Sequence, residues 1–192
     1  MLITIAGAGE VGYSLAKDLS HNYEVVVIES DERKADEVNE LNVEVIRGNA
    51  ASLSTLSRAK AGKADVFIAV TGCDEVNMVA GIAAKKLGAK KTIVRVGNPE
   101  YVDKPVVKDY FLGFDVVICP QLALASAMAS LVTIPGAVDF VSFSGGKVDM
   151  VEIVVSEDSP IAGKRVAELL LPENVILTAI YRDGELIVPR GD

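Results

Sequence analysis

The sequence predicts an α/β fold: a Rossmann-like doubly wound parallel sheet with a crossover helix, followed by a small α+β C-terminal domain. Three observations carry this reading. Short apolar runs alternate with helical patterns over residues 1–118, and near-continuous Val/Ile runs are what a parallel sheet covered on both faces requires. The glycine motif GAGEVG (7–12) follows the first run directly and opens a helical pattern. Past residue 136 the grammar changes to strand-like segments with one short helical stretch.

The predicted strands of the first part are 2–6, 24–28, 43–46, 65–70, 92–96 and 115–119. Between them the spacing predicts helices over 10–19, 31–41, 52–60 and 74–87, and a less regular one over 99–111 that Pro105 interrupts. Such alternation implies βαβ units wound in one sheet. After residue 136, VDFVSF, KVDMVEIVV, VILTAIY and ELIVP read as strands, and only KRVAELL (164–170) as a helix. Asp183-Gly184 between two apolar runs is a two-residue hairpin signal. The chain ends at PRGD with no final strand, as a truncated chain or half of a longer tandem protein would.

Half the residues are hydrophobic and Trp is absent, so an aliphatic core is expected. The formal charge of −8 excludes a protein that coats nucleic-acid phosphates. Cys73 and Cys119 are far apart and match no zinc spacing, which fits a reduced, cytosolic setting. The opening MLITIAGAGEVG reads as a strand rather than a signal peptide.

The chemistry gathers at the predicted strand ends. Gly7 permits a tight turn, Gly9 lets backbone approach a pyrophosphate, and Gly12 allows close helix–strand packing. The free N–H groups at the helix start then bind the phosphates; a glycine turn kept only for packing is the plainer alternative. Glu29, at the end of the second strand, can accept both ribose hydroxyls and would repel a 2′-phosphate, which favours NAD over NADP. Asp31 is the expected cap of the next helix. Asn49 and Ala50 follow the third strand, where a contact to base or ribose competes with an ordinary turn. Thr71 and Gly72 end the fourth strand at the same crevice, although Thr71-x-x-Asp74 also reads as a capping box. Arg95 falls in the predicted interior of the fifth strand. A guanidinium there needs a partner, either a bound pyrophosphate or an internal acid such as Asp74.

Catalytic machinery is not legible. His21, the single histidine, lies in a loop remote from the strand ends. Tyr13-x-x-x-Lys17 has the spacing of a short-chain dehydrogenase pair but sits inside the first helix. The expectation is a protein that reads a nucleotide and does not consume it, so not an enzyme. A small NAD-dependent oxidoreductase is the rival.

These residues together resemble the TrkA family of potassium-uptake regulators, built on the RCK (KTN) domain. Beyond GAGEVG and Glu29, the likeness rests on AVTGCDEVNMVAG (69–81), with Asp74, Glu75 and Asn77, and on RVGNPEYV (95–102). It continues through 119–148 and through SPIAGKRVAELLLPENVILTAIYRDGELIVPRGD, which is similar to the start of a TrkA C-terminal (RCK-C) domain. The resemblance implies an RCK nucleotide-binding domain over 1–118, a crossover and dimerisation helix over 119–136 and a partial RCK-C domain over 137–192. It also implies a cytoplasmic regulatory subunit, peripheral to the inner face of the cell membrane through a transmembrane potassium transporter. The implied dinucleotide contacts are Gly7 to Val11, Glu29, Asn49, Ala50, Thr71, Gly72 and Arg95. Asn49 stands where related domains often carry Asp, and related proteins bind ATP or ADP in place of NAD or NADH, as an ATP/ADP-responsive Ktr-type channel subunit would.

Residues 116–138 contain no charged side chain. Pro120 and Pro135 leave about 14 residues of uninterrupted helix, about 21 Å, against a hydrocarbon core of about 30 Å. No Lys/Arg cluster or aromatic belt flanks it, so direct membrane insertion is not expected. A helix apolar on every side needs burial on every side, and the expected cover is a second copy: a homodimer or higher ring through residues 121–134.

Overall fold

The structure, a computed structural model, describes residues 1–103, 113–143 and 147–190. The chain divides into two compact units, Met1–Ser126 and Ala127–Asp192.

The first unit runs β1 (Leu2–Ala6), α1 (Glu10–Leu19), β2 (Glu24–Glu29), α2 (Glu32–Asn39), β3 (Glu44–Arg47) and α3 (Leu53–Arg58), then β4 (Val66–Ala69), α4 (Asp74–Leu87), β5 (Lys91–Arg95), α5 (Glu100–Asp103) and β6 (Val116–Ile118). Its sheet has the order β3-β2-β1-β4-β5-β6, and every neighbouring pair is parallel. The order reverses between β1 and β4. At that reversal the loops leaving the two strands diverge to opposite faces and open a crevice beyond their carboxyl ends.

Residue alternation explains why the strands read as unbroken apolar runs. Val26 and Ile28 face a cluster with Leu56, Phe67, Ala80 and Val94, whereas Val25 and Val27 face one with Ile3, Ile5, Ala16 and Val38. Both sheet faces are therefore buried. The two polar residues inside β1 and β5 are satisfied: the Thr4 hydroxyl donates to the Ala59 carbonyl at 3.2 Å, and Thr92 N–H donates to Asp115 at 2.7 Å. Of the predicted helix over 99–111, Glu100–Asp103 is helical, and residues 104–111 lie outside the described residues.

Helix α6 (Pro120–Thr133) runs across the division between the units. In the second unit β7 (Ala137–Phe143) pairs antiparallel with β8 (Val148–Ile153). A second hairpin joins β9 (Ile180–Arg182) to β10 (Glu185–Ile187). Its turn is the predicted Asp183-Gly184, with φ of +51° and +84°, the mirror-image geometry that matches strand twist.

One expected element does not form. KRVAELL yields only a single tight turn, Val166–Glu168. Glu168 folds back to accept the Arg165 N–H at 3.1 Å, and the chain is already extended at Leu169. A segment of this length, closed by Pro172, gains too few hydrogen bonds to offset helix nucleation. The expected strand over VILTAIY is likewise confined to its end, from Ile180.

Candidate functional site

Four chain segments meet at the β1–β4 reversal. The first is the turn from β1 into α1. Gly7 adopts φ +104°, and its N–H donates to the Ile28 carbonyl at 2.8 Å. A methyl group on Gly12 would collide with the Gly7 carbonyl, so α1 sits as close to the strand exit as backbone allows. Gly9 is the N-cap of α1 and supplies no side-chain cap. Nothing lies within 4 Å of where its Cβ would be. The first N–H groups of α1, at the positive end of the helix dipole, are thus free for an anion.

The second segment is the end of β2. The Glu29 carboxylate accepts the Ala8 N–H at 2.6 Å through one oxygen. Through the other it accepts the N–H groups of Ser30 at 2.7 Å and Asp31 at 2.8 Å. Glu29 therefore pins the glycine turn to β2, and the oxygen shared only with Ala8 keeps room for a further donor such as a ribose hydroxyl. Asp31 caps α2 as expected, accepting the Lys34 N–H at 3.1 Å; that bond holds its carboxyl below the usual value.

The third segment follows β3. Asn49 closes an ordinary turn, its Oδ1 accepting the Ala51 N–H at 2.8 Å, and Ala50 is buried. This geometry favours the turn reading of Asn49, with its amide N–H groups outside that bond. The fourth segment is the exit of β4. Thr71 and Gly72 lie there, and the predicted capping box does not form. The N-cap of α4 is Cys73, and the Asp74 carboxylate instead accepts the N–H groups of Gly97 and Asn98, each at 2.8 Å.

Together these segments enclose a cleft of about 440 Å³ lined by Gly7, Gly9, Glu29, Asn49, Ala50, Thr71 and Gly72 among others. That volume suits a nucleotide-sized ligand. Of the other predicted residues, Ala8 contributes its N–H to Glu29 and Gly12 supports Gly7. Glu10 and Val11 are exposed on the first turn of α1, and neither lines the cleft.

Arg95 departs from expectation. It is the last residue of β5, not an interior one, and it does not line the cleft. Asp74, its proposed internal partner, is engaged by backbone. Among the described residues the buried Nε of Arg95 has no hydrogen-bond partner, which leaves a donor available to an anion.

Sequence reasoning missed several members. Lys34, Cys73 and Val76 line the cleft without having been chosen as contacts. Asn77, noticed only within the family likeness, is completely buried. Its signal was its place on the inward stripe of α4 with Ala80, Gly81 and Ala84: a lone amide among small residues. On the first turn of α4, Glu75 accepts from the thiol of the cleft-lining Cys73 at 3.1 Å and from the Tyr101 hydroxyl at 3.1 Å. The thiol foremost, then a backbone N–H and the phenol, lowers its pKa.

Comparison with known proteins agrees with this geometry. The TrkA-N domain matches residues 3–120 and the TrkA-C domain residues 150–192. The chain belongs to the TrkA-N domain family. The Trk system potassium uptake protein TrkA homolog of Archaeoglobus fulgidus is 56% identical over 192 residues, 100% of this chain and 44% of that protein. Trk system potassium uptake protein TrkA of Vibrio alginolyticus is 35% identical over 97% of this chain and 41% of its own. The chain spans about half the length of the first relatives it matches, 44% and 49%. Among solved structures, the TrkA-N domain of inner membrane protein ybaL from Escherichia coli superposes with a TM-score of 0.59 at 23% identity, over 67% of this chain and 94% of that one. The GsuK channel bound to NAD gives 0.53 at 20% identity, over 64% and 22%. At these identities the likeness is one of fold.

Proposed function

We propose that this TrkA-N chain is the nucleotide-sensing regulatory part of a Trk-type potassium uptake system, binding NAD or NADH at the strand ends and gating a separate membrane transporter. The carrying observation is the cleft at the β1–β4 reversal, where an uncapped helix N-terminus stands beside Glu29. Phosphates fit the α1 N–H groups and a ribose fits Glu29. The relatives' designation as Trk system potassium uptake proteins supports the transporter link.

In this proposal the protein reads its ligand without turnover. Tyr13 packs against the core beneath α1, and neither Tyr13 nor Lys17 lines the cleft, which counts against that pair as the acid and base of the oxidoreductase rival. Among the described residues no helix is long and apolar enough to cross a membrane. The proposed transporter link would hold the chain at the inner face of the membrane, in the cytoplasm.

Assembly is the second part of the proposal. Helix α6 carries no charge and has no buried residue in the single chain. Leu124, Met128 and Val132, four residues apart on one face, are 58%, 58% and 86% exposed. A second copy packed along residues 121–134 supplies the missing cover, in a homodimer or larger ring. Ligands then shift the arrangement of paired copies only by their differential affinity for each state. A tenfold difference supplies about 1.4 kcal/mol per site.

One observation favours ATP or ADP as the alternative ligand. The cleft of about 440 Å³ has Glu29, Asn49 and Ala50 for a ribose and base and Gly7 and Gly9 for phosphates, a set that a single adenosine phosphate can occupy. A neighbour in fold is the Shewanella denitrificans Kef CTD in AMP-bound form, with a TM-score of 0.53. Calorimetric titration with NAD+, NADH, ATP and ADP tests both readings, with Gly9→Val and Arg95→Ala as controls. Absence of binding by the unmutated chain ends the proposal.

A further inference from the structure

Beyond the cleft wall, one side chain joins what the sheet itself leaves apart. The β4–β5 ladder ends at the pair Ala69 and Val94. Past that point Asn77 bridges the two strand exits. Its Oδ1 accepts the Thr71 N–H at 2.8 Å and the Thr71 hydroxyl at 2.7 Å. Its Nδ2 donates to the Thr71 carbonyl at 3.0 Å and the Arg95 carbonyl at 3.1 Å. All four hydrogen-bonding positions of a completely buried amide are filled.

The ends of this bridge are unlike each other. Thr71 lines the cleft. Arg95 does not, yet its buried Nε is without a hydrogen-bond partner among the described residues. Two residues on, Gly97 and Asn98 are held to the same helix by Asp74. The cleft wall and the β5 exit are therefore fastened to one block, the first turn of α4. A displacement of Thr71 by a bound phosphate or ribose is transmitted through a rigid, fully satisfied amide to the backbone that carries the Arg95 guanidinium.

Resting on the nucleotide reading above, we infer that Asn77 is a positioning residue for the nucleotide: it acts through Arg95, setting the guanidinium relative to the cleft. An apolar residue of similar size would fill the same core space, so packing alone does not call for an amide; the two strand-exit carbonyls do.

The test is a double-mutant cycle on the full chain, read by calorimetric titration with NADH and with ATP. Asn77→Ser removes the bridge, Arg95→Ala removes the guanidinium, and a thermal melt of each confirms the fold. Each single variant is expected to raise Kd about tenfold, and the double variant to show about the same tenfold, because both remove one function. A hundredfold loss in the double variant, the product of independent effects, overturns the inference. So does a well-folded Asn77→Ser with native Kd, or an Arg95→Ala without effect. If Asn77→Ser does not fold, Asn77→Asp enters the same cycle; it keeps the acceptor for Thr71 and lacks the donors to the two carbonyls. No binding of either probe by the unmutated chain overturns the nucleotide reading and this inference together, whereas additivity in a chain that binds overturns this inference alone.

Discussion

Gly9 and Gly12 share one loop and respond to a methyl group in opposite ways. At Gly12 the new Cβ meets the Gly7 carbonyl, and backbone cannot swing aside as a flexible side chain can. Gly12→Ala is expected to lower stability by about 1–3 kcal/mol, seen as a reduced denaturation midpoint. At Gly9 the same methyl enters open space, and the residue's φ of −68° suits any L-residue. Gly9→Ala therefore changes the midpoint by less than about 1 kcal/mol, while weakening nucleotide binding in titration because the methyl occupies the anion's approach. The pair separates a glycine kept for the fold from one kept for the ligand.

At the scale of elements, carboxylates at the amino-terminal edge of the sheet tie strands to neighbouring segments. Asp115 accepts from Lys85 on α4 at 2.8 Å and from the N–H and hydroxyl of the fully buried Thr92. Asp115→Ala strands those buried donors, and a loss of about 1–3 kcal/mol is expected in chemical denaturation. Asp65 fixes the start of β1, accepting from Leu2 at 2.8 Å and from Lys90 at 2.6 Å. The Lys90 bond foremost, then the Leu2 N–H, holds its pKa below the ordinary 3.8. A depressed folded pKa means stability that is present above the ordinary value and lost as pH falls through the folded one. The melting temperature should thus drop as pH is lowered below about 4, and Asp65→Asn should flatten that drop. Elements themselves were legible where periodicity was long: α1 and α4 occupy the residues their spacing predicts. Lys164–Leu170 misled because a few apolar residues at helical spacing cannot show whether the turns beyond them exist. Glu29 and Asp31 were legible from position after a strand. Arg95 reads as interior to its strand because apolar neighbours do not mark where a ladder stops, and Asn77 enters only through the family likeness because a single polar residue on a helix reads as surface until its stripe is traced.

For the whole molecule, the uncovered α6 bears on assembly. Leu124→Asp with Met128→Asp places charges on the face proposed to meet a second copy, and the expected outcome is a fall in mass by light scattering to that of one chain, with the α/β unit still folded by circular dichroism. Unchanged mass would remove α6 from the proposed assembly. At the opposite extreme of adaptability stands the Gly7 carbonyl lodged over Gly12, which makes the glycine floor of the cleft a casting that cannot be reshaped without breaking the fold. Selectivity is thereby left to the lip, where Ser30, Lys34 and Asn49 line the opening. A cleft built this way can be retuned by substitutions along its perimeter, while the glycine turn beneath them stays as it is.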